Sequence, residues 1–307
     1  MNMFLLRFGL LFAVATAFAQ EAVIKVDVDL VNVFCSVRDK RGAYLKDLTK
    51  SDFTIFEDGK QQEVRYFTRE TDLPLTIGLL VDVSKSQENL IEVEKRAAAQ
   101  FFEKMLRPKD MAFLISFGAE AELLQDYTNS SRLLRQGLDD LRLSVPVGGL
   151  HPGPVPIKIR GTILYDAVYL AAHEKLKSEV GRKVVVVITD GVDTGSRVKV
   201  QEAIVAAHKS DVIIYSIYYA DMRYYGAGND SDLRKMADET GGRVFHVGRN
   251  NTLDDIFRQI QEEMRSQYLI GYSPASVEGG RGFRKLEIKT ADKDQKVLAR
   301  KGYYASR

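Results

Sequence analysis

The chain has 307 residues, of which 45% are hydrophobic and 28% charged, a composition typical of a soluble globular protein large enough for two domains. The formal net charge of +2 argues against nucleic-acid binding and against general attraction to anionic membranes. The single cysteine, Cys35, excludes an internal disulfide. Because it alternates with valines, we predict a small buried side chain, with a reactive thiol or an intermolecular link as the alternative.

The first residues resemble a secretory signal peptide. Arg7 provides a positive charge, residues 9–17 are apolar, and Ala17-Phe18-Ala19 is a cleavage signal. A membrane anchor is the alternative, but the apolar run is short for a spanning helix. We therefore expect residues 1–19 to be removed and the protein to be exported. Because the chain lacks disulfides, a bacterial periplasm, cell envelope or extracellular location fits best.

Residues 20–72 show the two-residue hydrophobic alternation of β-strands. The dipeptide Asp58-Gly59 separates the runs 53–56 and 64–67, and it is a strong hairpin signal. These short strands predict part of a β-sandwich, but they are too few to close one.

The next segment opens with an apolar run from Leu75 to Val83, which predicts a buried strand of a parallel sheet. The strand ends in Asp82, Ser84 and Ser86, a D-x-S-x-S pattern. Three oxygen-bearing side chains at alternate positions on a turning backbone can converge on one point. Oxygen ligands suit a hard divalent cation such as Mg²⁺.

Two later positions complete this pattern. Thr162 lies on a loop just before a helical pattern, and Asp190 follows the apolar run 183–188 and precedes a glycine. In a doubly wound sheet of strand order 3-2-1-4-5-6, the first and fourth strands are neighbours at the switch point. Asp82 and Asp190 would then face each other across that crevice, with Thr162 above them.

The rest of residues 73–265 alternates between strands and helices. One helix face is predicted from Leu90, Val93, Ala97, Phe101 and Met105. Further helices are predicted around 133–141, 162–176, 198–208 and 253–264, and strands at 111–117, 121–127 (an antiparallel edge), 212–219 and 244–247. The loop 145–160 should lie beside the metal. Its His151 is expected to be solvated, with a role as an added metal ligand or contact residue as the alternative. Tyr224 and Tyr225 are candidates for the rim of a binding surface or for packing.

The C-terminal residues return to β-structure. Strands are predicted at 268–272, 283–288 and 297–304. We expect residues 20–72 and 266–307 to fold together as one sandwich into which residues 73–265 are inserted.

The D-x-S-x-S turn, the loop threonine and the later aspartate together resemble the von Willebrand factor A (VWA) family, with its metal-ion-dependent adhesion site. The resemblance implies a doubly wound, Rossmann-like α/β domain. It also implies Mg²⁺ or Mn²⁺ at Asp82, Ser84, Ser86, Thr162 and Asp190, with an Asp or Glu of a protein ligand completing the metal shell. The flanks, through Leu48-Thr49, Glu57-Asp58-Gly59 and Gly302-Tyr303-Tyr304, resemble a VWA-related family described mainly from Acidobacteria.

The sequence contains no G-x-S-x-G, H-E-x-x-H or glycine-rich phosphate-binding motif. We therefore expect a non-enzymatic adhesion or scaffold protein rather than an enzyme. One alternative is a metal-assisted hydrolase or phosphotransfer enzyme that uses Asp82. Others are a structural envelope protein with a vestigial metal site, and a chain in which Asp82 and Asp190 only cap helices.

Overall fold

A computed structural model describes residues 30–69, 73–144, 161–221, 228–274 and 282–305. The predicted signal peptide, the loop with His151, and Tyr224 and Tyr225 lie outside these ranges. Among the described residues, no helix combines the length and apolar character needed to span a membrane.

The described residues begin and end with strand-rich segments, and the α-helices lie between them. The first flank forms β1 (Val31–Arg38), β2 (Phe53–Glu57), β3 (Lys60–Gln62) and β4 (Val64–Arg69). The middle segment forms the strands β5 (Leu75–Asp82), β6 (Met111–Phe117), β7 (Ala121–Thr128), β8 (Arg182–Thr189), β9 (Val212–Tyr218) and β10 (Val244–His246). Its helices are α1 (Ile91–Met105), α2 (Ser131–Asp139), α3 (Leu164–Tyr169), α4 (Val200–Lys209), α5 (Ser231–Thr240) and α6 (Leu253–Met264). A π-helical turn, Leu170–Lys175, extends α3. The second flank forms β11 (Tyr268–Tyr272), β12 (Phe283–Thr290), β13 (Lys296–Ala299) and β14 (Gly302–Tyr304).

The middle segment is a doubly wound α/β domain, as predicted. Its six-stranded sheet has the order β10-β9-β8-β5-β6-β7. All neighbouring pairs are parallel except β6 and β7, so the edge strand is antiparallel as expected. Every residue of β5 is buried because helices cover both faces of the sheet. The carboxyl ends of β5 and β8 therefore lie side by side at one edge.

Helices α1, α2 and α6 pack on one face of this sheet, and α3, α4 and α5 pack on the other. The structure corrects the predicted face of α1. Val93 is 39% exposed, whereas the buried stripe contains Ile91, Glu94, Ala97, Ala98, Phe101, Phe102 and Met105. Helix α5 was not predicted, since it presents few apolar residues.

The two flanks build one β-sandwich, as predicted. Its sheets have the orders β13-β1-β11-β4 and β14-β12-β2-β3, so each contains strands from both ends of the chain. Side chains from both sheets share one core that includes Val33, Ile55, Ile270 and Leu286. Cys35 is 1% exposed within it, in agreement with the predicted buried side chain.

Two predicted strand assignments were wrong. The Asp58-Gly59 turn, with φ angles of 48° and 79°, joins β2 to the short polar strand β3 rather than to residues 64–67. Strand β4 instead crosses to the other sheet and pairs with β11. The predicted strand 297–304 is two strands, β13 and β14, which belong to different sheets.

Candidate metal centre

Asp82 is the last residue of β5, and its side chain is fully buried. One carboxylate oxygen, Oδ1, accepts a hydrogen bond from the amide of Ser84 at 2.9 Å. The other, Oδ2, accepts one from the hydroxyl of Thr189 at 2.6 Å. Burial raises the pKa of Asp82 to about 7; the bonds from Ser84 and Thr189 oppose this effect, and the nearby charge of Asp190 adds to it. Ionised Asp82 is thus a buried anion that a bound cation would stabilise.

The two serines lie on the turn that follows. The hydroxyls of Ser84 and Ser86 are 3.0 Å apart, and both side chains are partly exposed. Val83, between Asp82 and Ser84, anchors the turn: its amide donates to the carbonyl of Phe117 at 2.8 Å, and its carbonyl accepts from Ser144 at 2.7 Å. The chain therefore gathers Asp82, Ser84 and Ser86 at one point.

Asp190 follows the end of β8, the neighbour of β5, and is 7% exposed. Its Oδ1 accepts a hydrogen bond from the amide of Val192 at 3.1 Å, in the same way that Asp82 binds Ser84. Helices α1 and α4 begin only at Ile91 and Val200, so these carboxylates bind turn amides and do not cap the helices that follow.

Thr162 is held at the same edge of the sheet through the backbone. Its carbonyl accepts hydrogen bonds from the amides of Thr194 and Gly195, both at 3.0 Å. The next amide, that of Ile163, donates at 2.9 Å to the carbonyl of Gly118, which directly follows β6. A Cβ at Gly161 would lie 1.7 Å from Thr194 Oγ1, so only glycine permits this close approach. Thr162 is linked to the other four residues through these neighbours, and its role as a ligand remains a prediction.

The donor set suits a hard divalent cation. Two carboxylates and three hydroxyls offer oxygen atoms only, the ligand type preferred by Mg²⁺ and Mn²⁺. Within the described ranges, no group of three His, Cys, Asp or Glu side chains forms a metal-binding cluster. A cation at this edge would therefore depend on hydroxyl oxygens as well as on Asp82 and Asp190.

Sequence reasoning missed three polar residues around this edge. Thr189 looked like part of an apolar strand, yet its hydroxyl binds Asp82. Gln87 is fully buried, and its Nε2 donates to the carbonyl of Tyr219 at 3.2 Å. Glu94 is 1% exposed on α1. Its spacing of three residues from Ile91 and from Ala97 was the signal that could have found it.

The match to a known family covers one third of the chain. Residues 155–259 match the model of the von Willebrand factor type A domain. This range includes Thr162 and Asp190 and begins after the Asp82 turn. The chain has no significant match among curated protein sequences.

Solved structures share the fold at low sequence identity. Proximal thread matrix protein 1 of the mussel byssus is 17% identical with a TM-score of 0.51, and the match covers 68% of this chain and 51% of that one. A form of that protein with a zinc-occupied metal-ion-dependent adhesion site is 18% identical, with a TM-score of 0.50 and coverages of 69% and 50%. An aerotolerance-related membrane protein from Bacteroides fragilis is 19% identical, with a TM-score of 0.46 and coverages of 62% and 98%.

These findings define the class. The α/β domain has the von Willebrand factor A fold, and the flanking strands add a β-sandwich to it. The chain spans about half the length of the mussel protein that it matches.

Proposed function

We propose that the protein is an exported, metal-dependent protein-binding or scaffold protein. The observation that carries this proposal is the buried carboxylate of Asp82, gathered with Ser84 and Ser86 at the carboxyl edge of the sheet and electrostatically coupled to Asp190. With Thr162, these residues are the proposed ligands of Mg²⁺ or Mn²⁺.

Such a site favours capture of an acidic ligand. Hydroxyl ligands carry no charge, so a divalent cation held with only two carboxylates keeps electrophilic character. Mg²⁺ also tends to keep exchangeable waters, and one of these can give way to a carboxylate. The proposed partner is accordingly a protein that presents an Asp or Glu side chain to the metal. The mussel protein, which shares the fold, has zinc at its metal-ion-dependent adhesion site, and this supports the metal-binding part of the proposal.

The organisation of the chain is part of the proposal. We propose a signal peptide at residues 1–19, sandwich segments at 20–72 and 266–307, and a VWA domain at 73–265. Export would take the protein to the periplasm, cell envelope or extracellular space of a bacterium. Kinship with the VWA-related family of Acidobacteria is proposed on the flanking motifs, and binding rather than catalysis is the proposed activity.

Titration calorimetry tests the metal site. We expect the wild type to bind Mg²⁺ or Mn²⁺ and Asp82→Asn to lose this binding, because the amide carries no charge. Asp139→Asn, which neutralises an exposed acid at the end of α2, should bind as the wild type does. Equal cation binding by wild type and Asp82→Asn would show that the assignment is wrong.

A pull-down from envelope extract tests the binding function. Wild-type protein should retain a partner with Mg²⁺ and release it with EDTA, and Asp82→Asn should retain none. An excess of acetate or of an Asp-containing peptide should compete. Phosphatase activity that disappears in Asp82→Asn would instead favour the metal-assisted hydrolase.

A further inference from the structure

Glu94 is a buried acid to which the described part of the chain offers no hydrogen-bond partner. It lies in the first turn of α1, on the stripe that packs against the sheet, and its side chain is 1% exposed. Both of its carboxylate oxygens lack a hydrogen-bond partner among the described residues. Buried carboxylates are almost always paired or hydrogen-bonded, so this arrangement requires an explanation.

A second orphan acceptor belongs to the same region. The Oε1 atom of Gln87 is buried and also lacks a partner within the described residues, although its Nε2 binds the carbonyl of Tyr219. Glu94 lies on the buried stripe of α1 with Ile91 and Ala97, which share one core cluster with Val81 and Val83, the residues on either side of Asp82. Burial, followed by the charge of Asp82, raises the pKa of Glu94. Beside the proposed metal site, the two carboxylate oxygens of Glu94 and the Oε1 atom of Gln87 thus lack hydrogen-bond donors among the described residues.

Simpler explanations leave these oxygens unsatisfied. Protonation would remove the charge of Glu94, but its single hydroxyl could donate to only one acceptor and would leave the carbonyl oxygen of Glu94 without a donor. The positive end of the α1 dipole favours an anion in the first turn, yet it supplies no hydrogen bond to the side chain. The amide of Glu94 already donates to the carbonyl of Leu90 at 3.1 Å.

We propose that Glu94 is an outer carboxylate of the metal centre, a positioning residue that accepts hydrogen bonds from waters on a cation held by Asp82, the serine turn and Asp190. The inference rests on the proposed metal site. Waters retained by such a cation would supply the missing donors for Glu94 and for Gln87 Oε1. Glu94 thereby holds these waters in place and increases retention of the ion, while Asp82 and Asp190 remain the only carboxylates proposed in its inner shell.

Calorimetric titration with Mn²⁺ of the full-length protein tests this role. Glu94→Gln keeps the shape and removes the charge, and we expect it to weaken Mn²⁺ binding about 10- to 100-fold, as loss of an outer-shell partner does. The matched control is Glu92→Gln on the same helix. Glu92 is exposed and pairs with Lys95 at 3.2 Å, so its loss should leave the affinity nearly unchanged.

Thermal unfolding separates this role from a merely structural one. In EDTA, Glu94→Gln should unfold at the same temperature as the wild type or higher, because a buried charge is removed. With Mn²⁺, the rise in unfolding temperature should be smaller than that of the wild type. If Glu94→Gln does not fold, Glu94→Met offers an apolar side chain of similar length for the same two measurements.

The outcomes distinguish the two proposals. If the wild type and Asp82→Asn bind Mn²⁺ equally, the proposed metal site is wrong, and the proposed role of Glu94 is wrong as well. If Asp82→Asn loses binding but folded Glu94→Gln or Glu94→Met binds as tightly as the wild type, the metal site stands and Glu94 has no part in it. Equal weakening by Glu92→Gln would also overturn the role of Glu94, since any acid on α1 would then suffice.

Discussion

The hydroxyl of Tyr44 donates a hydrogen bond of 2.5 Å to the carboxylate of Glu263, and this contact joins the sandwich to the last helix of the α/β domain. Glu263 is fully buried near the end of α6. It also accepts hydrogen bonds from Tyr215 of β9 at 3.1 Å and from Ser36 of β1 at 3.3 Å. The Nη1 atom of Arg243 lies 3.6 Å from Oε2 of Glu263, and its guanidinium provides a countercharge. One carboxylate thus ties both parts of the fold together.

We expect Glu263→Leu to lower the free energy of unfolding by about 3–5 kcal/mol, because Arg243 would be left partly buried without its countercharge. Tyr44→Phe should cost about 1.5–3 kcal/mol, the value of a bond to a charged acceptor. Urea denaturation measures both changes. Tyr66→Phe is the control, since Tyr66 is 46% exposed on β4. An equal effect of Tyr44→Phe and Tyr66→Phe would contradict the proposed junction.

Gly161→Ala should weaken Mg²⁺ binding at least tenfold. The added Cβ would meet Thr194 and displace the loop that carries Thr162. Calorimetry on the folded variant provides the measurement. Gly248→Ala is the matched control, because a Cβ there would have open space around it. Unchanged affinity in Gly161→Ala would remove Thr162 from the ligand set.

The stability of the protein should rise with pH between about 4 and 6.5 through His208. Burial, followed by the charge of Arg300, lowers the pKa of His208 from 6.5 to about 4. In this window the His208 imidazole binds a proton in the unfolded chain but not in the native protein. The contribution of neutral His208 to the free energy of unfolding is therefore complete above pH 6.5 and is lost as the pH falls toward 4. We expect about 2 kcal/mol between pH 7 and pH 5.

Urea titrations at the two pH values test this effect. His208→Gln should reduce the difference in stability between pH 7 and pH 5 by about that amount, whereas His173→Gln, at a partly exposed position, should leave it nearly unchanged. The same pH dependence in wild type and His208→Gln would rule out this origin.

Cys35 should resist thiol reagents in the native protein. Burial raises the pKa of its thiol to about 12, so neither the thiolate nor access for the reagent is available at pH 8. We expect labelling by iodoacetamide to become at least a hundredfold faster in denaturant. Rapid labelling of native protein would mean that the sandwich opens readily.

The parts of the fold with local signals were predictable from sequence. The apolar run of β5 and the run 183–188 of β8 predicted two buried strands, which are neighbours in the sheet. The polar residues that follow these runs predicted that Asp82 and Asp190 lie at the carboxyl ends of those strands. The pairing of β4 was not predictable in this way. The turn at Asp58-Gly59 leads into β3, which pairs with β2. Because β3 consists of Lys60, Gln61 and Gln62 and has no hydrophobic alternation, its sequence does not indicate a strand.

The surroundings of the site were missed for a related reason. Hydrophobic periodicity assigns a charged residue to the solvent face, and Glu94 breaks this rule on the buried stripe of α1. Thr189 was obscured by the apolar residues before it. Arg300 and Lys301 divide β13 from β14, and Gly302, the first residue of β14, was a local signal of this break that the prediction of one strand over 297–304 overlooked.

The interleaving of the two flanks constrains the order in which the parts of the protein can fold during synthesis. In one sheet of the sandwich, β11 separates β1 from β4, so the early strands have no neighbours until residue 268 leaves the ribosome. The α/β domain is translated in between and can become compact first. Until β11 and β13 emerge, β1 and β4 present open backbone edges. We expect a nascent chain paused before β11 to need protection from a chaperone.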